Sequence, residues 1–180
     1  MILIQKIKNF FFNKALANTI SATPAVTREM VNLKTAKHIG ILYKATLTDE
    51  IMIISQFAEK LKAEGKEVHI LGFKDEKNKE DIGLKVFTKN SVNWLGVPND
   101  ARIDGFQKIN LDILICAFKD ECLPLEYIAA TSKAKFRVGA FSQGKTNYYE
   151  LMINVGDESQ LLYLLQQIFH FLKAINKDEN

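Results

Sequence analysis

Short, mainly apolar runs alternate along the chain with segments that have a helical pattern of apolar residues. Such runs are typical of strands buried in a parallel sheet, because both faces of that kind of sheet are covered by helices. A predicted helix lies between several of these runs, as in the crossover connections of a parallel sheet. The predicted strands are 38–43, 68–73, 84–88, 111–116, 135–139 and 149–154.

Apolar residues between these runs recur at spacings of three and four, which predicts helices. The pattern is clearest after Asp157, a potential N-cap, where Leu161, Leu165 and Ile168 begin a long apolar stripe. The alternation predicts an α/β fold: a three-layer, Rossmann-like, mostly parallel sheet with helices on both faces. The other helices are expected at 48–63, 100–108 and 124–131.

The domain organisation follows from where this alternation begins. Residues 1–17 are predicted to form a basic amphipathic helix, and residues 18–36, which include Pro24, are predicted to be a linker. Residues 37–177 form a single α/β domain in this interpretation, since a domain of that size is common.

The N-terminal helix is expected to make an interaction of its own. Its apolar residues include Leu3, Ile7, Phe10 and Phe11, and no acidic residue occurs within residues 1–28. We expect residues 2–17 to pack on their own domain, on a protein partner or on a second copy of the chain. A basic amphipathic helix can also lie on an anionic membrane surface, which is the alternative. The apolar run is too short to span a bilayer, and its lysines are misplaced for a signal peptide, so we expect it to stay uncleaved.

Composition sets limits on function and location. Of the 180 residues, 47% are hydrophobic and 25% are charged, and the net charge is only +3, which gives no signal for nucleic-acid binding. Two cysteines, Cys116 and Cys122, are too few for a disulfide framework. The expected location is therefore a reducing cytoplasm, with peripheral contact at the inner membrane surface as a further option.

One stretch fits the phosphate-loop pattern G-x-x-x-x-G-K-[ST], with Gly139, Gly144, Lys145 and Thr146 in its fixed positions. The motif works only when a helix starts at the Gly-Lys-Thr, so that its N-terminus faces the phosphate. Here an apolar run at 149–154 predicts a strand. We therefore interpret the match as accidental and expect no nucleotide cofactor.

Five residues are candidates for a ligand or partner surface: Asp49, Trp94, Asp120, Lys135 and Arg137. The two acids adjoin predicted strand ends, where α/β sheets bind ligands, but acids there also favour helix starts. Alternation in a strand places the two basic residues on one side, which is either a solvated or a functional face. The tryptophan either contacts a partner or covers the edge of the core.

No catalytic residue and no metal ligand is predicted. The chain has no Gly-x-Ser-x-Gly nucleophile motif. His38, His69 and His170 are widely separated in the sequence and do not form a ligand pair of familiar spacing.

Several short motifs resemble, in their order, those of an uncharacterised family of short bacterial proteins of unknown function. The resemblance covers most of the chain and implies a fold and a class of host but no activity. Its motifs are Phe73-Lys74-Asp75, Asn93-Trp94-Leu95-Gly96, Leu111–Ile115, Ser132–Gly139 and Leu151–Asn154.

Residues 38–141 also resemble, more distantly, the N-terminal half of heptosyltransferase-type glycosyltransferases. Lys135, Arg137 and Gly139 match the "K-x-R-x-G" strand of those enzymes. The resemblance implies a sugar-nucleotide scaffold, whose second, nucleotide-binding domain has no counterpart here. Where the enzymes have Gly-Asp after the first strand, this chain has Thr48-Asp49, for which helix capping is expected.

The sequence therefore predicts a non-catalytic α/β binding or assembly domain. The alternative is an enzyme or sensor that binds a phosphorylated ligand, such as a nucleotide or sugar nucleotide, at the carboxyl ends of the strands.

Overall fold

A computed structural model of the chain describes residues 2–23, 25–76, 84–145, 147–156 and 160–175. Six strands form one sheet: β1 (His38–Lys44), β2 (Glu67–Lys74), β3 (Val86–Thr88), β4 (Ile113–Ala117), β5 (Phe136–Ala140) and β6 (Leu151–Ile153). Five α-helices accompany it: α1 (Ile2–Ala22), α2 (Thr48–Ala63), α3 (Ala101–Gln107), α4 (Leu123–Thr131) and α5 (Leu161–Ala174).

The strand order is β3-β2-β1-β4-β5-β6, and every pairing between neighbours is parallel. The predicted α/β fold class is confirmed. The chain builds the sheet outward from β1 to β3, then returns to β4 on the other side of β1 and builds outward again. This reversal leaves a crevice above the carboxyl ends of β1 and β4, the position where open α/β sheets bind ligands.

Two apolar cores cover the two faces of the sheet. On one face, Ile41 and Ile115 lie in a cluster with Ile54 of α2 and Leu165 of α5. The other core contains buried residues of β1 and β4 together with α3 and α4, including Phe106, Leu114 and Ile128. Burying each such side chain contributes about 1.5–3 kcal/mol. The helices are held on the sheet by their apolar stripes, as the sequence pattern predicts.

The start of α2 differs from the prediction in its capping. Both ends of the predicted helix 48–63 are confirmed, but the N-cap is Leu47 and no side chain caps the helix. Thr48 and Asp49 lie inside the first turn, where the negative charge of Asp49 is favoured by the helix dipole. The cap predicted at Asp157 lies outside the described residues.

Helix α1 is longer than predicted and packs on its own domain. It extends to Ala22, so the predicted linker is helical over its first residues. Phe12 and Leu16 are buried against α4, and the hydroxyl groups of Thr19 and Tyr127 lie 2.9 Å apart. No helix among the described residues has both the length and the apolarity needed to cross a membrane.

The segment after α1 is also packed. Val31, Leu33 and Ala36 are buried in the core on the α2/α5 face, and the Leu33 amide donates to the carbonyl of Leu172 at 2.9 Å. The Arg28 guanidinium donates to carbonyls in the turn that precedes β5. The second half of the predicted linker is therefore an ordered part of the domain surface.

Candidate functional site

A cleft of about 370 Å³ opens above the carboxyl ends of the strands, between the sheet, α1 and the start of α4. We call it the carboxyl-edge cleft. Lys44 ends β1 at its base, and Phe73 belongs to the end of β2. Gln5 and Lys8 of α1 line one side, and Leu123 lines the side formed by α4. The cleft lies where the strand order predicts a ligand site.

Three lysines line the cleft, and they differ in their partners. The Lys89 ammonium lies 3.1 Å from Asp75 Oδ1, another lining residue. The side chains of Lys8 and Lys44 have no hydrogen bond or ion pair within the part of the chain that the structure describes. Two ammonium groups are therefore open to an anionic ligand at this edge.

The acidic residues of the cleft are engaged with other side chains. Asp75 is paired with Lys89, and Glu121 Oε1 accepts a hydrogen bond from Asn9 of α1 at 3.3 Å. Gln5 donates in turn to Asn9 Oδ1 at 3.0 Å. The Asn9 contact ties α1 to the loop before α4. Among the described residues, the lysines of the cleft without an ion-pair partner are Lys8 and Lys44.

The loop 92–98 places Trp94 beside the cleft. Asn93 Oδ1 accepts the amides of Leu95 and Val97, each at 3.0 Å, which fixes the turn. Gly96 has a φ of +95°, and a β-carbon there would lie 2.8 Å from Leu123 Cβ. Glycine is required by both the backbone conformation and the close approach to α4. The loop is thus anchored to the helix that borders the cleft.

Trp94 is largely exposed, with 70% of its surface accessible. Its ring lies 6.3 Å from that of Phe11 on α1, measured between centroids. The expectation that this tryptophan contacts a ligand or partner stays a prediction, and its position at the rim of the cleft is compatible with it. The alternative, in which Trp94 covers the edge of the core, does not hold, because most of the indole is exposed.

The one thiol in the cleft is unsuited to nucleophilic chemistry. Burial raises the pKa of Cys122 to about 12, although a backbone hydrogen bond from Leu125 and the charge of Lys44 act in the opposite direction. A thiol needs its thiolate form to act as a nucleophile, so Cys122 is inert near neutral pH. Cys122 instead precedes α4, whose N-terminal end contributes positive potential to the cleft.

A smaller depression of about 140 Å³ lies on the other side of Lys44, between the end of β4 and α5. Asp120 lines it together with Glu50 and Lys119. Asp49 is exposed on α2 and lines neither depression. Of the two acidic candidates, only Asp120 therefore lies at a cavity near the carboxyl edge.

Lys135 and Arg137 have different environments, although alternation in a strand predicts that they share one side. Lys135 is exposed and pairs with Asp112 at 3.0 Å and Glu29 at 3.4 Å. Arg137 is only 6% exposed and lies under the end of α4. The solvated face, one of the two expectations for this residue, is not observed for Arg137, because its guanidinium is enclosed by protein.

Glu150 is the main partner of Arg137. The two form a bidentate ion pair with nitrogen–oxygen distances of 2.8 and 3.0 Å, and the remaining guanidinium hydrogens go to the carbonyls of Ala129, Ala130 and Asn147. Burial acts to raise the pKa of Glu150, but the hydrogen bonds and charge of Arg137 outweigh it and lower that pKa. Arg137 is thus a structural residue.

The stretch that fits the phosphate-loop pattern does not have the geometry of a phosphate loop. Residues 141–145 and 147–150 contain turns and no helix, and the chain then enters β6. Lys145 forms an ion pair with Glu126, a carboxylate that is 2% exposed and also accepts the Cys122 amide. Thr146 lies outside the described residues. Gly144 has a φ of +82° and serves a turn. Lys145 therefore belongs to an ion pair within the protein.

The sheet brings together two histidines that the sequence separates. In the register of β1 and β2, His38 lies opposite Glu67, and Gly40 lies opposite His69. The three polar side chains meet at the amino ends of the strands, and the two imidazole rings are 6.0 Å apart. Spacing rules could not find this cluster, because the contact depends on the strand register.

Sequence reasoning also missed Lys8 and Lys44 of the cleft. Lys44 directly follows an apolar strand, and a search for polar residues at the carboxyl ends of strands would have included it. Lys8 reaches the cleft only because α1 docks on α4, which no local pattern indicates.

Comparison with known proteins identifies a family but no activity. A family of unknown function, DUF6913, matches residues 8–175, which confirms the expected resemblance to an uncharacterised family. No match was found among curated proteins. Since the match extends from the middle of α1 to the end of α5, the chain belongs to this family of unknown function, DUF6913.

Proposed function

We propose that the protein is a non-catalytic binding domain and that it takes a phosphorylated ligand in the carboxyl-edge cleft. The observation that carries the proposal is the pair Lys8 and Lys44, two ammonium groups without described ion-pair partners at the edge where parallel sheets bind ligands. Ammonium groups and a helix N-terminus both attract phosphate.

The size and shape of the cleft fit a small phosphorylated molecule. Its volume of about 370 Å³ lies within the usual range for small-molecule sites. Trp94 at the rim offers an aromatic face on which a base or sugar ring can stack. Nucleotides and sugar nucleotides combine such a ring with phosphate groups, which makes them the ligand class to test first.

Binding without catalysis is favoured by the lining residues. Cys122 is protonated, and Asp75 and Glu121 are held by Lys89 and Asn9.

A thermal-shift screen tests the proposal. Purified protein is heated with UDP, UDP-glucose, ATP and pyrophosphate in separate samples. Ligand that binds the folded state raises the unfolding temperature in a concentration-dependent manner. Lys44→Met should reduce that rise at each ligand concentration, and Lys133→Met, which removes an exposed charge elsewhere, should retain it. If none of the four compounds stabilises the wild type, the proposal is wrong.

A second candidate function is assembly through α1. Its exposed apolar residues lie on the side away from α4, so the helix has one apolar face docked and another in solvent. They are Ile4, Ile7, Phe10 and Phe11, and Trp94 continues the patch onto the domain body. Exposed aromatic patches of this kind mark interaction sites.

Light scattering coupled to size-exclusion chromatography tests assembly. If the patch joins two copies of the chain, the wild type should be a dimer, and the double variant Phe10→Ser/Phe11→Ser should be a monomer. Ile20→Ser is the matched control, since Ile20 is exposed on the same helix but lies outside the patch. Sedimentation of the wild type with anionic vesicles but not neutral ones would point instead to the membrane surface. A wild type that is a monomer and sediments with neither anionic nor neutral vesicles would contradict assembly through α1.

A further inference from the structure

The cluster of His38, Glu67 and His69 lies at the edge of the sheet opposite to the carboxyl-edge cleft. His38 is the first residue of β1 and Glu67 is the first residue of β2. Glu67 and His69 are two residues apart on one strand and point to the same face, where parallel pairing brings His38 beside them. Three side chains of metal-ligating types therefore converge on one face of two adjacent strands.

Two of the distances within the cluster are close to those between neighbouring ligand atoms of a metal coordination sphere. His38 Nδ1 lies 3.4 Å from one carboxylate oxygen of Glu67, and His69 Nε2 lies 3.3 Å from the other. Tetrahedral Zn²⁺ with bonds near 2.0–2.1 Å places neighbouring ligand atoms about 3.3–3.4 Å apart. All three ligand atoms lie within 4.8 Å of one another. Glu67 and His38 have exposed side chains that can rotate to close on an ion.

His69 supplies an independent sign of a missing partner. Its Nε2 atom is buried and makes no hydrogen bond with any described residue, although a carboxylate oxygen is near. A buried nitrogen without a hydrogen bond costs free energy, and a metal ion would satisfy its lone pair.

The cluster also has an approach from solvent. His69 lines a cavity of about 510 Å³ between β2 and α3, together with Leu71, Phe106 and Arg102. Three protein ligands leave a fourth position of a tetrahedral ion for water or for a molecule in this cavity. A usable site needs such a route of entry.

We propose that His38, Glu67 and His69 form a binding site for a divalent transition-metal ion, with Zn²⁺ as the best fit to the ligand set. His38 binds through Nδ1 and His69 through Nε2, and Glu67 supplies carboxylate oxygen. Two imidazoles and a carboxylate suit Zn²⁺ better than Mg²⁺ or Ca²⁺, which prefer oxygen ligands. The site is separate from the carboxyl-edge cleft.

Isothermal titration of the tag-free, metal-depleted full chain with Zn²⁺ tests the proposal. We expect one ion per chain, and Co²⁺ should give the visible absorption of a four-coordinate site. His38→Ala, Glu67→Gln and His69→Ala should each weaken binding more than about tenfold, since even the loss of an outer-sphere partner can cost that much. Circular dichroism of each variant checks that it folds.

Two matched variants distinguish this site from binding at the third histidine or in the cleft. His170→Ala removes an exposed histidine on α5, and Lys44→Met alters the carboxyl-edge cleft; both should bind Zn²⁺ as the wild type does. The proposal is overturned if the wild type shows no stoichiometric binding. It is equally overturned if His170→Ala weakens binding as much as His69→Ala does, or if all three cluster variants bind with unchanged affinity.

Discussion

Two groups of basic side chains, similar in the sequence, have opposite environments in the fold. Arg137 and Lys145, near β5, are covered and paired with Glu150 and Glu126. Lys8 and Lys44, in the carboxyl-edge cleft, have no ion-pair partner among the residues that the structure describes. Charges satisfied inside the protein contribute to its stability, whereas charges left open at a cavity are available to a ligand. The candidate site is therefore located better by asking which basic side chains lack an ion-pair partner than by the positions of the basic residues alone.

The largest expected effect is on stability, from Arg137→Met. Removing the guanidinium leaves three carbonyl groups without this donor and takes two hydrogen bonds from the Glu150 carboxylate. That carboxylate keeps the Arg137 backbone amide at 2.8 Å and the Arg28 guanidinium at 3.7 Å. Breaking a buried ion pair in this way costs about 3–5 kcal/mol. Urea unfolding should show that loss, while Lys135→Met, two positions earlier and exposed, should change the free energy of unfolding by less than about 1 kcal/mol. Equal losses would contradict the distinction between the two basic residues.

In the cleft, the expected effect is on binding and not on folding. Lys8→Met and Lys44→Met should each lower the affinity for a phosphorylated ligand by about 1.5–3 kcal/mol, or roughly tenfold to a hundredfold. The free energy of unfolding should stay within about 0.5 kcal/mol of the wild type, as for other surface changes. Titration calorimetry and urea unfolding on the same samples measure both quantities. A loss of stability that matches the loss of affinity would assign these lysines to structure.

A smaller effect on stability is expected from substitutions at two glycines, one in the loop that holds Trp94 and one in α3 as its control. Gly96→Ala forces a β-carbon into a left-handed backbone and against Leu123, so we expect a loss of about 1–3 kcal/mol. Gly105→Ala, in the middle of α3 with free space around it, should stabilise by about 0.5–1 kcal/mol. Thermal unfolding compares them, and Trp94 fluorescence should shift only in the first variant. Stabilisation by both substitutions would show that the loop conformation is not required.

The smallest expected effect is in the pH dependence of the Arg137–Glu150 pair. The pKa of Glu150 is lowered in the folded protein, so its contribution to stability is fully present above its ordinary pKa of about 4.5. It is lost as the pH falls through the lower, folded-state value. Glu150→Gln should therefore be less stable than the wild type at pH 7, and the difference should shrink at acid pH. Unfolding curves at several pH values would contradict this if the difference were constant.

The fold could be predicted from the sequence because its signals are local. The apolar stripe and flanking residues of α2 give both of its ends, and each predicted strand is present within a few residues of its expected position. The predicted extent of α1 is wrong, since the helix continues to Ala22 and Thr19, in the added part, lies 2.9 Å from the Tyr127 hydroxyl of α4. Tertiary packing overrides local preference at such positions.

The candidate site was less predictable because its contacts are not local. Alternation predicts Lys135 and Arg137 on one side, but only the fold shows that Glu150, thirteen residues on, pairs with Arg137. The meeting of His38 with His69 depends in the same way on the register between β1 and β2. A single sequence contains no spacing rule for either contact.

The central claim is that the open lysines of the carboxyl-edge cleft bind phosphate. Titration of the wild type, the double variant Lys8→Met/Lys44→Met and the control Lys133→Met with UDP measures it most directly. The claim predicts saturable binding by the wild type and the control, and affinity at least about a hundredfold weaker in the double variant. Equal affinity in all three proteins, or no binding by the wild type, would contradict it.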